Sequence, residues 1–190
     1  MSIIQSIGMS TSISISTIPA DITWNPSDKG SRVTLSTDNL TANVATGNPG
    51  AMVRATVGKS TGKWYWEVIN SSYGGSVVGI ANNVSSLETS PGGDTNSWGY
   101  YYVGSKTYGA GNAPYGGGYG FNAVIGVKLD MDNGTIEFIR DNVPQGVAFT
   151  GLTGTIYPAF GGDANSVTGT AKFATASLTY AVPADYAVLS

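Results

Sequence analysis

Four carboxylate side chains that could do chemistry lie close together in the sequence: Asp130, Asp132, Glu137 and Asp141. Paired carboxylates can act as general acid and base, or can hold a cation such as calcium through oxygen ligands. The full spacing of an EF-hand loop is absent, however, and Asp and Asn are common turn residues. We therefore predict turn chemistry without a metal or cofactor, while a weak cation site near Asp130, Asp132 and Glu137 stays open.

Two glycine-containing segments share features with phosphate-binding motifs but lack essential positions. Gly58-Lys59-Ser60-Thr61 would need a leading glycine where Val53 stands, and no helix is predicted to follow it. The stretch from Gly109 to Gly120 lacks the flanking strand and helix of a dinucleotide fingerprint. We interpret the first as turn chemistry and the second as a long loop.

The absence of two residue types limits catalysis. The chain contains neither histidine nor cysteine, which excludes Ser-His-Asp and Cys-His nucleophilic systems and leaves only oxygen ligands for a metal. Only 11% of residues are charged and the net charge is −3, so the basic surface that nucleic acid requires is missing. The first 16 residues have neither a basic n-region nor a continuous apolar run, so we expect no signal peptide and no membrane insertion. The sequence indicates a protein that is not an enzyme.

The densest aromatic segment runs from Trp98 to Tyr119 and is interleaved with glycine and asparagine. Aromatic rings beside small polar residues are typical of surfaces that recognise glycans or proteins. One alternative is that Trp98 and Tyr100 belong to the core, and for Tyr108, Tyr115 and Tyr119 a core role is as open as a binding role. The predicted ligand-binding residues are Tyr101, Tyr102, Tyr108, Asn112, Tyr115 and Tyr119.

The elements that must position these side chains are short strands. Twenty-seven glycines and recurring Val, Ile and Tyr favour strands and turns, and no stretch has a sustained helical period. Strand candidates recur at the spacing typical of β-sandwiches. They are residues 32–36, 51–57, 63–69, 77–81, 124–131, 135–140, 156–160 and 171–176.

Two of these segments predict specific pairings. Residues 63–69 are largely apolar on both faces, which predicts a central strand. Asn133-Gly134 between residues 124–131 and 135–140 predicts a hairpin with an even-length loop, which places Leu129 opposite Phe138 and Asp130 opposite Glu137.

The first 20 residues form a segment of different texture, with no charge before Asp21. An uncharged strand-like segment is a template for pairing with another chain, so we predict an assembly arm at 1–20 and a sandwich at 21–190. An ordinary first strand or a frayed tail is an equally open interpretation. The predicted arm contacts are Ile3, Ile4, Ile7, Ile13, Ile15 and Ile18.

Five motifs in order resemble those of the SPRY domain family. They are Tyr65-Trp66-Glu67-Val68, Val78-Gly79-Ile80-Ala81, Ser97-Trp98-Gly99-Tyr100, the hairpin from Gly126 to Phe138, and Tyr157-Pro158-Ala159-Phe160. The resemblance implies an all-β, two-sheet antiparallel β-sandwich (concanavalin A-like jelly roll). It also implies recognition of proteins or peptides by loops at one end, without catalysis.

The Gly/Asn-rich loops and the uncharged N-terminal arm are most similar in composition to SPRY domains of bacteriophage structural proteins. This predicts a virion component, either a capsid decoration or head fibre or a tail-associated adhesin. It would be a homo-oligomer that docks on other virion proteins through the arm and displays the sandwich to a host surface glycan or protein. The alternative is an intracellular protein-interaction adaptor, and a glycan-processing enzyme is the weakest possibility because the candidate acids cluster at a turn.

Overall fold

The structure is a computed structural model that describes residues 21–163 and 165–190. Two β-sheets pack face to face, and a single turn of 3-10 helix lies at Thr175–Ser177. The predicted two-sheet sandwich is confirmed. The proposed arm lies outside the described residues, so the predicted division at residue 20 stays a prediction.

The first sheet has seven strands in the order β1-β4-β13-β6-β7-β8-β9. Their bounds are β1 Trp24–Lys29, β4 Ala51–Ala55, β13 Tyr157–Gly162, β6 Ser76–Ala81, β7 Ser97–Tyr101, β8 Ser105–Tyr108 and β9 Gly111–Pro114.

The second sheet has the order β12-β11-β10-β5-β14-β3-β2, and a short β15 pairs with β5. The bounds are β12 Val143–Phe149, β11 Thr135–Arg140, β10 Val124–Asp130, β5 Lys63–Asn70, β14 Val167–Lys172, β3 Thr41–Val44, β2 Val33–Leu35 and β15 Ala187–Val188. The β15–β5 pairing is parallel, and every other pairing among the described strands is antiparallel.

The core forms between the sheets because alternate residues on each strand point inward. Trp66 and Val68 on β5 are fully buried, as are Phe138 on β11 and Phe160 on β13. On the opposite face of β5, Tyr65 and Glu67 are also buried. The prediction of a central strand at residues 63–69 is confirmed, since β5 lies between β10 and β14.

The predicted hairpin is present, but its register differs by two residues. Leu129 pairs with Ile136 rather than with Phe138, and Asp130 pairs with Thr135 rather than with Glu137. The loop therefore has four residues, 131–134, because the Asp130 carboxylate accepts hydrogen bonds from the backbone N–H groups of Asp132 and Asn133. The even number of loop residues was predicted correctly. A shift of two residues leaves every side chain on the face that the predicted register gave it.

The predictions for two further segments were wrong. Residues 109–120 are not a continuous loop, because Gly111–Pro114 forms β9 against β8. The last predicted strand, 171–176, begins earlier at Val167 and ends at Lys172, before the 3-10 turn. In the described part of the chain, no helix is long and apolar enough to cross a membrane.

Candidate functional site

The loop between β6 and β7 lies across the outer face of the seven-stranded sheet, where glycines make room for it. Gly79 and Gly99 are paired across β6 and β7. A Cβ at Gly79 would lie 2.8 Å from the Pro91 Cβ, and one at Gly99 would lie 2.6 Å from the Pro91 carbonyl oxygen. A side chain at either position would collide with this loop, and also with the adjacent strand, at the Trp98 carbonyl oxygen or the Val77 side chain. The glycines of two family motifs therefore position this loop.

An ion pair fixes the start of the loop. Arg54 on β4 is buried, and its guanidinium donates to both carboxylate oxygens of Asp28, at 2.8 and 2.7 Å. The same guanidinium donates to the carbonyl oxygens of Asn82 and Ser85, at 2.7 and 3.1 Å. A planar guanidinium matches this bidentate geometry. The loop is thus tied to two strands of the sheet.

Asp94 fixes the end of the same loop. Its carboxylate accepts hydrogen bonds from the hydroxyls of Ser85 and Ser97 and from the backbone N–H groups of Ser86 and Asn96. Burial by itself would raise the pKa of Asp94, but these hydrogen bonds outweigh it and the pKa lies below its ordinary value. The carboxylate is therefore held in its charged form as a structural acceptor.

The fixed loop and the sheet enclose a pocket of about 250 Å³. We call it the outer-face pocket. Its walls combine hydroxyl, amide and carboxylate groups with a few small apolar side chains, so it offers hydrogen-bond donors and acceptors in a concave setting. The lining residues are Asn48, Pro49, Val77, Thr89, Ser90, Gly92, Gly93, Tyr101, Thr107, Ala110, Asn112 and Asp163.

One hydrogen bond between distant segments organises the pocket. The Tyr101 hydroxyl, at the end of β7, donates to a carboxylate oxygen of Asp163, just after β13, at 3.2 Å. Burial and the neighbouring Asp163 charge raise the pKa of Tyr101 to about 12. The hydroxyl therefore stays protonated near neutral pH and serves as a donor rather than as a nucleophile.

The structure divides the six predicted binding residues among several places. Tyr101 and Asn112 line the outer-face pocket. Tyr102 lies in a neighbouring groove beside Tyr73, and its ring meets that of Tyr101 edge-on at 4.8 Å. Tyr108 is partly exposed at the end of β8 and stacks on Trp98. The structure therefore does not gather the six residues into one site.

Tyr115 and Tyr119 are not exposed loop anchors, which corrects that prediction. Tyr119 is buried, and its hydroxyl donates to the carbonyl oxygens of Tyr100 and Ser76, at 2.7 and 3.1 Å. Tyr115 is half-buried with its ring edge-on to those of Tyr100 and Phe138. Both rings pack in the core because the segment after β9 turns back across the end of the sandwich. Tyr100 is fully buried in the core, which confirms the alternative interpretation given for it from the sequence.

The pocket residues outside the aromatic segment were not predicted from the sequence. Asp163, Thr89 and Ser90 come from two other loops, and no local pattern links them to Tyr101. Tyr73 was not predicted either; it is 85% exposed and stacks on Phe121 at 5.1 Å between ring centres. The glycines of the Val-Gly-Ile-Ala and Ser-Trp-Gly-Tyr motifs were the available signal, since paired glycines on adjacent strands indicate close approach of another segment.

The carboxylates at the hairpin do not form a shared site. Glu137 pairs with Lys128 across the strands at 2.6 Å, and Asp130 lies 3.5 Å from Lys63. The Asp130 pKa lies below its ordinary value, because hydrogen bonds from Asn133 and the Lys63 charge outweigh burial, which raises it. Within residues 21–163 and 165–190, no group of three or more Asp or Glu side chains is arranged to hold a metal ion.

Comparison with known proteins identifies the family. The SPRY domain family profile matches residues 63–173, and the chain belongs to this family. It is 37% identical over 109 residues to a probable ATP-dependent RNA helicase, ddx1, from Dictyostelium discoideum, covering 56% of this chain and 14% of that protein. It is 30% identical over 155 residues to Ran-binding protein 9 from Danio rerio, covering 75% of this chain and 26% of that protein.

A solved structure supports the fold assignment. The SPRY domain of human HERC1 superimposes with a TM-score of 0.70 at 16% identity, covering 83% of this chain and 99% of that one. The relatives named here are eukaryotic proteins, and this chain spans about a quarter or less of the two curated ones. The expected similarity to bacteriophage structural proteins finds no support among them.

Proposed function

We propose that this chain is a non-enzymatic protein-interaction module whose outer-face pocket binds a segment of a partner protein. The observation that carries the proposal is the pocket itself, in which Tyr101 and Asp163, which are 62 residues apart in the sequence, are joined beside Asn112, Thr89 and Ser90. A fixed concave surface with convergent polar groups is suited to binding, because little ordering entropy is lost on association.

The chemistry of the carboxylates supports a binding role over a catalytic one. Asp94, Asp130 and Glu67 each accept several hydrogen bonds that hold segments of the fold together. The chain has no histidine or cysteine to act with them as base or nucleophile. A Tyr101 hydroxyl that stays protonated completes a site that recognises rather than reacts.

Between the two settings predicted from the sequence, the similarity to eukaryotic SPRY proteins favours the adaptor over the virion component. Ran-binding protein 9 is named for a protein partner. This supports a protein rather than a glycan as the ligand proposed for this chain. Assembly through residues 1–20 remains compatible with either setting.

The proposal is tested by selecting peptides from a displayed random library on the full chain. Binding of the selected peptides should fall at least about tenfold in Tyr101→Ala and in Asn112→Ala. Tyr108→Ala is the matched control, because Tyr108 is an aromatic side chain outside the pocket lining. Urea unfolding of each variant verifies that it is folded. Peptides that bind all three variants equally would overturn the outer-face pocket as the site.

A further inference from the structure

We infer that the outer-face pocket selects a basic side chain, lysine or arginine, from its partner. This inference rests on the proposed function and specifies the chemistry of the ligand. It follows from the position of a single carboxylate, Asp163, among otherwise uncharged lining residues.

Among the described residues, Asp163 has no salt-bridge partner. No lysine or arginine is among the residues that line the outer-face pocket. The Arg32 guanidinium donates to the carbonyl oxygen of Gly50, near the rim of the pocket. Hydrogen bonds from Ser31 lower the pKa of the exposed Glu88, and the Arg32 charge lowers it further. The Lys106 ammonium on β8 donates to the carbonyl oxygen of Ala148 on β12 of the other sheet, at 2.7 Å, and so does not face this pocket. The negative charge in the pocket is therefore left for a ligand.

The geometry of Asp163 leaves it able to accept further hydrogen bonds. Its Oδ1 accepts from the Tyr101 hydroxyl at 3.2 Å, and no donor among the described residues contacts Oδ2. A carboxylate has about four acceptor positions, so most remain open. A guanidinium or ammonium group is the complementary donor, and a charge-assisted hydrogen bond is about twice as strong as a neutral one.

The rest of the lining suits the same ligand. Thr89, Ser90 and Asn112 offer side-chain oxygens that can accept from the remaining N–H groups of a guanidinium or ammonium. Val77 and Pro49 offer apolar contact for the methylene stem of a lysine or arginine. An acidic side chain would instead meet the Asp163 carboxylate without a lining cation to offset the repulsion.

The first experiment uses capped amino acids as probes of the full chain by NMR titration. N-acetyl-arginine methylamide and N-acetyl-lysine methylamide should shift the amide signals of Thr89, Tyr101, Asn112 and Asp163. N-acetyl-norleucine methylamide and N-acetyl-glutamate methylamide at the same concentration should shift them much less. Equal responses to all four probes would overturn the charge preference.

The second experiment separates this inference from the proposed function. Peptides selected by the library should share a lysine or arginine at one position. Asp163→Asn should weaken their binding about tenfold, which corresponds to about 1.4 kcal/mol. The variant should leave a peptide with norleucine at that position unaffected, and Asp21→Asn, an exposed site outside the pocket, is the control. Peptides that depend on Tyr101 but carry no basic residue would overturn the inference and leave the proposed function standing.

Discussion

The fully buried carboxylate of Glu67 accepts a hydrogen bond of 2.7 Å from the backbone N–H of Thr179, 112 residues further along the chain. Its other oxygen accepts from the backbone N–H of Tyr180 at 2.9 Å and from the Tyr65 hydroxyl at 3.0 Å. A buried charge is tolerated only when hydrogen bonds replace its water. This contact explains an acidic residue in the middle of a central strand, because Glu67 anchors the C-terminal segment to the outer face of the eight-stranded sheet.

Glu67→Gln should lower the free energy of unfolding by about 2 kcal/mol or more, because hydrogen bonds to a buried charged group are lost and the amide N–H₂ faces other donors. Urea unfolding measures this change. Glu88→Gln, at an exposed loop carboxylate, should cost less than about 1 kcal/mol. Limited proteolysis should also cut the segment after Phe173 faster in Glu67→Gln. Equal stability of the two variants would show that Glu67 does not anchor the segment.

Truncation of either large side chain at the centre of the core should be severe. Trp66 and Phe138 are both fully buried, on β5 and β11. Trp66→Ala or Phe138→Ala should each cost about 3 to 5 kcal/mol through lost apolar burial and the cavity left behind. The urea midpoint measures the loss, with the partly exposed Tyr108→Ala as comparison. An unchanged midpoint for either core variant would mean that the inward faces are wrongly assigned.

Acid should destabilise the protein partly through Asp94. The pKa of Asp94 is lower in the folded protein than its ordinary value of 3.8, so its contribution is present above that value and is lost as the pH falls through the lower folded pKa. Urea midpoints measured from pH 5 to pH 2.5 should therefore fall less steeply for Asp94→Asn than for the unsubstituted chain. Parallel curves would show that the loop carboxylate makes no pH-dependent contribution.

The Tyr119 hydroxyl should contribute to stability. Tyr119→Phe leaves the carbonyl oxygens of Tyr100 and Ser76 without this donor in a buried setting. The expected cost is about 1 to 2 kcal/mol in the free energy of unfolding. Tyr108→Phe is the matched control, because the Tyr108 side chain is 45% exposed. If library-selected peptides lose affinity in a stable Tyr119→Phe variant, the assignment of Tyr119 to the core alone is wrong.

The predicted arm is tested by removing residues 1–18. The strands of the described sandwich begin at Trp24, so we expect the truncated chain to keep its urea midpoint. Light scattering should show an oligomer for the full chain and a smaller species after truncation, since an uncharged strand-like segment favours pairing between chains. A truncated chain that unfolds would make the segment a strand of the sandwich. An unchanged mass would remove its role in assembly.

Local pattern determined much of this protein. Alternation with period two put Trp66 and Val68 on one face of their strand and Leu129 and Phe138 on one face of the hairpin, and the even parity of the hairpin loop followed from the same rule. The low charge argued against a nucleic-acid-binding surface, and the lack of histidine and cysteine excluded Ser-His-Asp and Cys-His nucleophilic systems. These properties depend on residues close in sequence or on composition alone, so no knowledge of the sheet order was needed.

Tertiary structure alone decided the rest. Tyr101 and Asp163 are 62 residues apart and meet only because β6, β7 and β13 are neighbours in one sheet. The same holds for Glu67 and Thr179, and for Tyr119, whose burial depends on how the segment after β9 crosses the end of the sandwich. A tyrosine among glycines has the same local sequence whether it faces solvent or core. Whether such a tyrosine is buried depends on contacts with residues distant in the sequence, and the local pattern of apolar residues does not predict those contacts.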